Sequence, residues 1–122
     1  MKIKTSSLKS TALDWAVAMI ENPEWFSSPE WSMAHPSDLA MDDGDYYAPS
    51  INWNQGGRII EQEGISIRHR IPCAENKEWE ASAGRYCFFG PTPLVAAMRC
   101  FVANKFGNEV EIPDCVVEEE KV

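Results

Sequence analysis

Residues 90–107 constrain the fold most, because they carry every signal of a well-made buried helix. Thr92 offers a hydroxyl for the N-cap, Pro93 stands where a missing N–H removes no hydrogen bond, and Gly107 can end the helix in a left-handed turn. Small or apolar side chains cover both sides of the helix: Leu94, Val95, Ala96, Ala97, Met98, Cys100, Phe101, Val102 and Ala103. The pattern predicts a helix that is buried nearly all round.

A second helix and several strands are predicted around it. Apolar residues repeat at helical spacing over 10–20, where Thr11 and Asp14 form a capping-box-like pair and Pro23 follows the end. Alternating patterns predict strands over 1–5, 65–71, 79–89 and 109–112, with a bulge or a tight turn at Gly84. His69 lies on the apolar face of the strand over 65–71, which favours a core histidine over a functional group. Residues 59–63 are predicted to form one or two helical turns that end at Gly64.

These elements predict an α+β fold. It has a short antiparallel sheet of three to four strands, two main helices packed on one face, and a long ordered loop over 21–50. We expect residues 1–114 to form a single domain and residues 115–122 to form an acidic C-terminal tail. The acidic run Asp42, Asp43 and Asp45 lacks the full ligand spacing and the closing glutamate of a calcium loop, so no metal is expected.

The charge and the cysteines exclude several classes of protein. A formal charge of −8 and a pI of about 4.7, with 11 scattered basic residues, argue against duplex-DNA binding, since phosphates require clustered lysine and arginine. The four cysteines form no C-x-x-C pair, no apolar run reaches the length of a membrane span, and no signal-peptide cleavage site follows the N-terminal lysines. We expect a protein of a reducing cytoplasm, with no cofactor and no membrane partner. A homo-oligomer is left open.

One candidate site lies in residues 47–58, which are dense in side chains that stack or form hydrogen bonds and end in a flexible glycine pair, Gly56 and Gly57. Aromatic stacking combined with amide recognition suits a nucleobase and a protein hot spot equally well. In the alternative interpretation, Trp53 only pins the loop onto the core. The candidate residues are Tyr47 and Trp53 for stacking, and Asn52, Asn54, Gln55 and Arg58 for reading the edges of a planar ligand.

Arg99 is the second candidate, because it is the one cation in the apolar part of its helix, before Asn104 and Lys105 at the end. A buried guanidinium needs an acidic partner or an anionic ligand. A salt bridge to one of the 19 acidic residues, or a side chain that reaches solvent, is the structural alternative. The ligand interpretation gains weight if the Thr92 end of the helix is open, since free N–H groups there attract an anion.

Three segments carry a resemblance to a known family. They are Ala-Leu-Asp-Trp-Ala-Val-Ala at 12–18, Pro-Ser-Ile-Asn-Trp-Asn-Gln-Gly-Gly-Arg at 49–58 continuing to residue 65, and Gly-Pro-Thr-Pro-Leu-Val-Ala-Ala-Met-Arg at 90–99. In this order they resemble the NinX-like family of small proteins from lambdoid phages, over most of the chain as far as Pro113. The resemblance implies a phage accessory protein in an infected bacterial cytoplasm, and it implies no established biochemical activity.

Two departures from the family pattern bear on the candidate site. Relatives often resemble Gly-Gly-Pro where this chain has Gly-Gly-Arg at 56–58, and Thr-Asp before the tryptophan where it has Ile-Asn at 51–52. Arg58 and Asn52 are therefore weaker candidates than Trp53, Gln55 and Arg99.

The chain has no G-x-S-x-G, P-loop, G-x-G-x-x-G or H-E-x-x-H motif, so we expect a non-enzymatic phage effector. Two forms are open: a counter-defence protein that sequesters a small nucleotide-like host signal, and an acidic inhibitor of a host defence or nucleic-acid-binding protein. A pocket beneath residues 47–58 favours the first, and a flat acidic patch favours the second. An enzyme acting on nucleotides would need a titratable residue beside Arg99.

Overall fold

The computed structural model describes residues 1–26, 47–70, 75, 77–114 and 116. In this part of the chain the order is β1 (Lys2–Lys4), α1 (Ser10–Glu21), α2 (Trp53–Glu63), β2 (Ser66–His69), β3 (Trp79–Ala83), β4 (Tyr86–Gly90), α3 (Pro93–Phe106) and β5 (Glu109–Glu111), with short 3₁₀ turns at Thr5–Ser7 and Pro23–Phe26. The predicted α+β class is confirmed. Most of the predicted loop over 21–50, its acidic run at 42–45 and most of the C-terminal tail lie outside the described residues.

Helix α3 is the centre of the fold, as its sequence predicts. The Thr92 hydroxyl accepts a hydrogen bond from the backbone N–H of Val95 at 3.2 Å, and the helix begins at the predicted proline. Most of its apolar side chains are buried, and α1, α2 and all three strands β2–β4 contact it. Gly107 ends the helix with φ 89° and ψ −156°, so φ is positive as predicted but the residue is not in the left-handed helical region.

The strands form two sheets instead of the predicted single sheet. Strands β2, β3 and β4 pair antiparallel in that order, whereas β1 pairs antiparallel with β5 through Ile3 opposite Val110. Strand β5 follows α3 in the chain and pairs with the first strand, not with any strand of the β2–β4 sheet. The hairpin between β3 and β4 turns at Gly84, whose φ of 59° suits glycine.

The three-stranded sheet packs one face against α3 and presents the other to solvent. Ala81 is fully buried on the inner face, with Ile67 and Phe88 beside it in register. His69 corrects one prediction, because it is exposed and its ring lies 4.7 Å from the ring of Trp79. His69 is the last residue of β2, which is an edge strand, so alternation along the strand no longer predicts burial of this side chain.

The predicted capping pair of α1 is also wrong. The helix already includes Ser10, so Thr11 lies inside its first turn and the N-cap position falls on Lys9, which makes no side-chain capping bond. The Asp14 carboxylate, only 7% exposed, instead accepts a hydrogen bond from the backbone N–H of Ser50 at 2.8 Å. Asp14 thus holds the segment before α2 against α1.

Candidate functional site

The second half of the candidate loop at 47–58 is helical. Helix α2 begins at Trp53, six residues before the predicted turns, and the Asn52 side chain caps it by accepting from the N–H of Asn54 at 2.9 Å. The two glycines that predicted flexibility lie inside this helix. Gly56 permits close packing, since a Cβ there would lie 2.3 Å from the Pro49 carbonyl oxygen and 2.6 Å from Cδ2 of Leu94.

Tyr47 and Gln55 help to hold this segment in place. Tyr47 is only 8% exposed. The Gln55 side-chain oxygen accepts a hydrogen bond from the backbone N–H of Ala48 at 2.6 Å, so this oxygen is engaged within the protein. Burial raises the pKa of Tyr47, and the nearby carboxylates of Glu21 and Asp14 raise it further, so the phenol stays protonated at neutral pH.

Three predicted residues meet at one small pocket, which we call the Tyr47 pocket. It has a volume of about 110 Å³ and is lined by Tyr47, Gln55, Arg58, Glu21, Asn22, Ile59 and Gln62. Small-molecule sites in proteins commonly occupy about 300–1,000 Å³. The pocket is therefore too small to enclose a nucleotide, although it lies beside residues 47–58, where the sequence predicts a binding site.

Trp53 and Asn54 lie on the exposed first turn of α2 and are absent from the lining of the Tyr47 pocket. The Trp53 side chain is 57% exposed, so it does not pin the segment into the core. Thr92 is exposed at the start of α3, where its hydroxyl serves as the N-cap. The described lining of the Tyr47 pocket therefore includes none of Trp53, Thr92 and Arg99.

Arg99 binds two backbone carbonyls. Its Nε donates to the carbonyl of Leu8 at 2.7 Å and its Nη1 donates to the carbonyl of Phe89 at 2.7 Å. Burial of the guanidinium lowers its pKa. Within the described residues Arg99 has no carboxylate partner, and a salt bridge to one of the acidic residues outside them stays a prediction. Two of its N–H groups donate to backbone carbonyl oxygens, and no carboxylate among the described residues neutralises its charge.

Arg99 also lines a larger cleft, which we call the Arg99 cleft. The cleft has a volume of about 490 Å³ and is lined by Ser6, Glu75, Lys77, Cys87, Phe88, Phe89 and Arg99. Strand β4 supplies three of these residues, helix α3 supplies Arg99, and the turn after β1 supplies Ser6. The cleft thus places two cations, Lys77 and Arg99, beside the aromatic residues Phe88 and Phe89.

Positive charge gathers around Phe89. The guanidinium of Arg70 lies 4.6 Å from the centre of the Phe89 ring and the ammonium of Lys77 lies 6.0 Å from it, both within cation–π range. With Arg99 bonded to the Phe89 carbonyl, three cations surround this one residue. The arrangement favours an anion at the mouth of the cleft.

Glu80 partly balances this charge on the solvent face of the sheet. It accepts from the Cys87 thiol at 3.0 Å and from Nη2 of Arg68 at 2.6 Å, while Nε of Arg70 is 3.9 Å away. The Cys87 and Arg68 bonds lower the pKa of Glu80. Burial and the neighbouring carboxylate raise the pKa of Cys87, so its reactive thiolate form is disfavoured.

Sequence reasoning missed Lys77, Cys87 and Phe89. A signal was present, because Cys87 and Phe89 fall on the outer face of β4, where an alternating strand normally carries polar residues. Of the other cysteines, Cys100 is buried and its pKa is raised to about 11, as its apolar setting predicts. Cys73 and Cys115 lie outside the described residues.

Two features are absent from the described residues. Among them no helix combines the length and the apolar character needed to cross a membrane. The same part of the chain contains no group of three or more histidine, cysteine, aspartate or glutamate residues arranged to hold a metal ion.

Comparison with known proteins identifies the family. No curated protein matches the chain. The family model described as Bacteriophage P22, NinX matches residues 4–105, a span that runs from the first strand to the end of α3 and confirms the resemblance noted in the sequence. Because this match covers most of the chain, the protein belongs to the NinX family of bacteriophage P22 and is a phage protein.

Proposed function

We propose that this phage protein binds a small nucleotide-like anion in the Arg99 cleft and sequesters it from the host. The size of the cleft carries the proposal. A volume of about 490 Å³ lies within the range of about 300–1,000 Å³ common for small-molecule sites, whereas the Tyr47 pocket at about 110 Å³ falls below it. The proposed site therefore includes Arg99, as predicted from the sequence, and its other lining residues differ from the predicted ones.

The lining of the cleft matches the parts of a nucleotide. Phe89 offers aromatic surface against which a base can stack. Lys77 and Arg99 offer positive charge for a phosphate, and Glu75 can accept hydrogen bonds from sugar hydroxyls or a base amino group. A ligand with one planar and one anionic end fits this combination better than a purely apolar molecule does.

Arg99 has the capacity to bind a ligand as well as the protein. A guanidinium has five N–H donors, and the two backbone carbonyls take two of them. Its charge has no carboxylate partner within the described residues, so an anion would gain a favourable interaction in a partly desolvated site. The same two carbonyl bonds hold the guanidinium in position before the ligand arrives.

The biological role that we propose is counter-defence in the cytoplasm of the infected host. A phage protein that captures a nucleotide-like host signal without altering it needs a binding cleft and no catalytic group. Glu75 and Cys87 also line the cleft, so an enzyme acting on nucleotides is the alternative within this site. Recovery of the ligand unchanged after binding distinguishes sequestration from catalysis.

Inhibition of a basic host protein is the second candidate function, and the distribution of charge favours it. The described residues carry 11 carboxylates and 10 lysine or arginine side chains, so they offer no strong net charge. Five more acidic residues and no lysine or arginine lie between 27 and 46, and three acidic residues lie at 118–120. An inhibitor of this kind would therefore use acidic residues from those two stretches.

Isothermal titration calorimetry with nucleoside monophosphates and triphosphates tests the proposed function. We expect one ligand per chain, and we expect Lys77→Ala to weaken binding at least about fivefold because it removes one phosphate-facing charge. Lys9→Ala is the matched control, since Lys9 is also exposed but does not line the cleft. Absence of binding, or equal binding by the Lys77→Ala protein, would contradict the proposal.

A further inference from the structure

A second cleft adjoins the Arg99 cleft along strand β4, and we call it the Arg85 cleft. Its volume is about 640 Å³, and its lining residues are Lys4, Ser6, Arg85, Tyr86, Cys87, Phe88, Asn108 and Glu109. The two clefts share Ser6, Cys87 and Phe88. They therefore form one continuous groove between β4 and the chain around the end of β1.

The outer edge of β4, with which no other strand of the described residues pairs, supplies polar backbone groups to this groove. Strand β4 is the last strand of its sheet, and its Phe89 carbonyl accepts from Arg99, so that carbonyl faces away from β3. Residues two apart on a strand present their backbone groups to the same side. The N–H and carbonyl of Cys87 therefore also face the groove, at the point where the two clefts meet.

Charge is concentrated at the two ends of the groove. Lys4 and Arg85 lie in the Arg85 cleft together with Glu109, and the Arg99 cleft likewise has two cations and one carboxylate. Arg85 lies in the turn just before β4 and Phe89 is the fourth residue of that strand, so a rise of about 3.3 Å per residue places the two ends of the groove about 13 Å apart. Each end suits an anionic group that has hydroxyl or amino donors beside it.

We propose that the natural ligand is a short nucleotide chain with two phosphoryl groups about 13 Å apart, one in each cleft. This inference rests on the proposed function of the Arg99 cleft and specifies its ligand. The first phosphoryl group contacts Lys77 and Arg99, and the second contacts Lys4 and Arg85. The Cys87 backbone binds the polar groups between them.

An acidic peptide is the competing occupant, and the edge of β4 disfavours it. A peptide that adds a strand to a sheet gains its affinity from backbone hydrogen bonds along the edge. Arg99 already occupies the Phe89 carbonyl, which interrupts the row of acceptors that such a strand needs. A nucleotide chain needs no such row, because phosphates and bases bind side chains.

The test is a calorimetric length series on the full chain. The probes are single nucleotides and oligonucleotides of two, three and four nucleotides. Each oligonucleotide carries a phosphate at both of its ends. We expect affinity to rise at least about tenfold once the terminal phosphates reach both clefts, and to level off beyond that length. The double variant Lys4→Ala with Arg85→Ala should lose this gain and still bind the single nucleotide as the wild type does.

Salt dependence gives a second readout that mere destabilisation would not produce. For single strands, the logarithm of the binding constant falls by about 0.7 per neutralised phosphate for each tenfold rise in salt. The wild type should show a steeper slope than the double variant with the chain that spans both clefts. The control double variant, Lys9→Ala with Arg58→Ala, removes the same charge from exposed positions outside both clefts and should match the wild type.

Each other outcome overturns the inference in a recognisable way. If single nucleotides bind as tightly as every longer chain, and only Lys77→Ala weakens them, the Arg99 cleft stands alone and the extended ligand is wrong. If no nucleotide binds at all, the proposed function fails and the inference fails with it. If an extended acidic peptide binds more tightly than every nucleotide chain, the groove is a peptide site.

Discussion

The Nη1 atom of Arg99 lies 2.7 Å from the backbone carbonyl oxygen of Phe89, and this bond connects the central helix to β4, the outer strand of the three-stranded sheet. Through Nε the same guanidinium also binds the carbonyl of Leu8, which precedes α1. One side chain thus ties three parts of the fold together and contributes charge to the cleft. If the proposed ligand binds in the Arg99 cleft, stability and ligand binding are coupled at this residue.

Arg99→Ala should destabilise the protein by about 1.5–3 kcal/mol, because two carbonyls lose a charged donor. Urea denaturation followed by circular dichroism measures this difference in the free energy of unfolding. Arg58→Ala is the control, since Arg58 is exposed and should change stability by less than about 0.5 kcal/mol. Equal stability of the Arg99→Ala protein and the wild type would show that the two bonds have no structural role.

Leu94→Ala and Phe101→Ala should each cost about 2–5 kcal/mol, because both side chains are almost fully buried and their removal leaves a cavity. Phe106→Ala serves as the control on the same helix, since Phe106 is 43% exposed and should lose less than about 1 kcal/mol. Thermal and urea unfolding give the values. A loss below about 1 kcal/mol at Leu94 or Phe101 would mean that α3 is not the buried centre of the fold.

Gly56→Ala and Gly57→Ala should change stability in opposite directions. At Gly56 the added Cβ would collide with the Pro49 carbonyl and Leu94, which we expect to cost about 1–3 kcal/mol. At Gly57 the nearest atom is a Trp53 ring carbon at 3.5 Å, an ordinary contact, so alanine should stabilise the helix by about 0.5–1 kcal/mol. A similar effect at both positions in urea denaturation would disprove this packing of α2.

Trp53→Ala distinguishes the two candidate sites. The side chain is 57% exposed, so the melting temperature should stay nearly unchanged. Calorimetry with a nucleotide should also give unchanged affinity, because Trp53 does not line the Arg99 cleft. Loss of binding with an intact fold would instead support the site predicted at residues 47–58.

Glu80→Gln should reduce the stability of the protein at neutral pH and make that stability less dependent on pH. Bonds from Cys87 and Arg68 lower the pKa of Glu80 in the folded state from its usual 4.5. The stabilising contribution is therefore complete above the unfolded-state pKa and is lost as the pH falls below about 4.5 through the folded-state pKa. Urea denaturation at pH 7 and pH 3 should show a smaller difference for Glu80→Gln than for the wild type or for Glu61→Gln, a change at an exposed glutamate of α2. An unchanged pH dependence would rule out this role.

The helix α3 was predictable from sequence because its signals are local. The Thr92 cap, the following proline and the terminal glycine act within one or two turns, and the structure confirms its bounds. The strands β2, β3 and β4 were predictable for the same reason, since alternation is read along a single segment. Their partners were not, because pairing of Ile3 with Val110 depends on residues far apart in the chain.

Helix α2 and the clefts were hidden for two different reasons. Gly56 and Gly57 suggested a flexible loop, yet Gly56 is present because the helix must approach Pro49 and Leu94 closely. Arg99 was correctly singled out as unusual, but its carbonyl partners are backbone atoms of Leu8 and Phe89, which no side-chain pattern reveals. The Arg99 cleft likewise forms only when β4 and the turn after β1 come together.

Native mass spectrometry tests the proposed sequestration most directly. The protein is purified from phage-infected cells or from cells expressing a defence system, and its native mass is compared with its denatured mass. We predict a stoichiometric excess from a small nucleotide-like ligand, which disappears on denaturation and is reduced in the Lys77→Ala protein but not in the Lys9→Ala protein. A native mass equal to that of the bare chain would contradict sequestration.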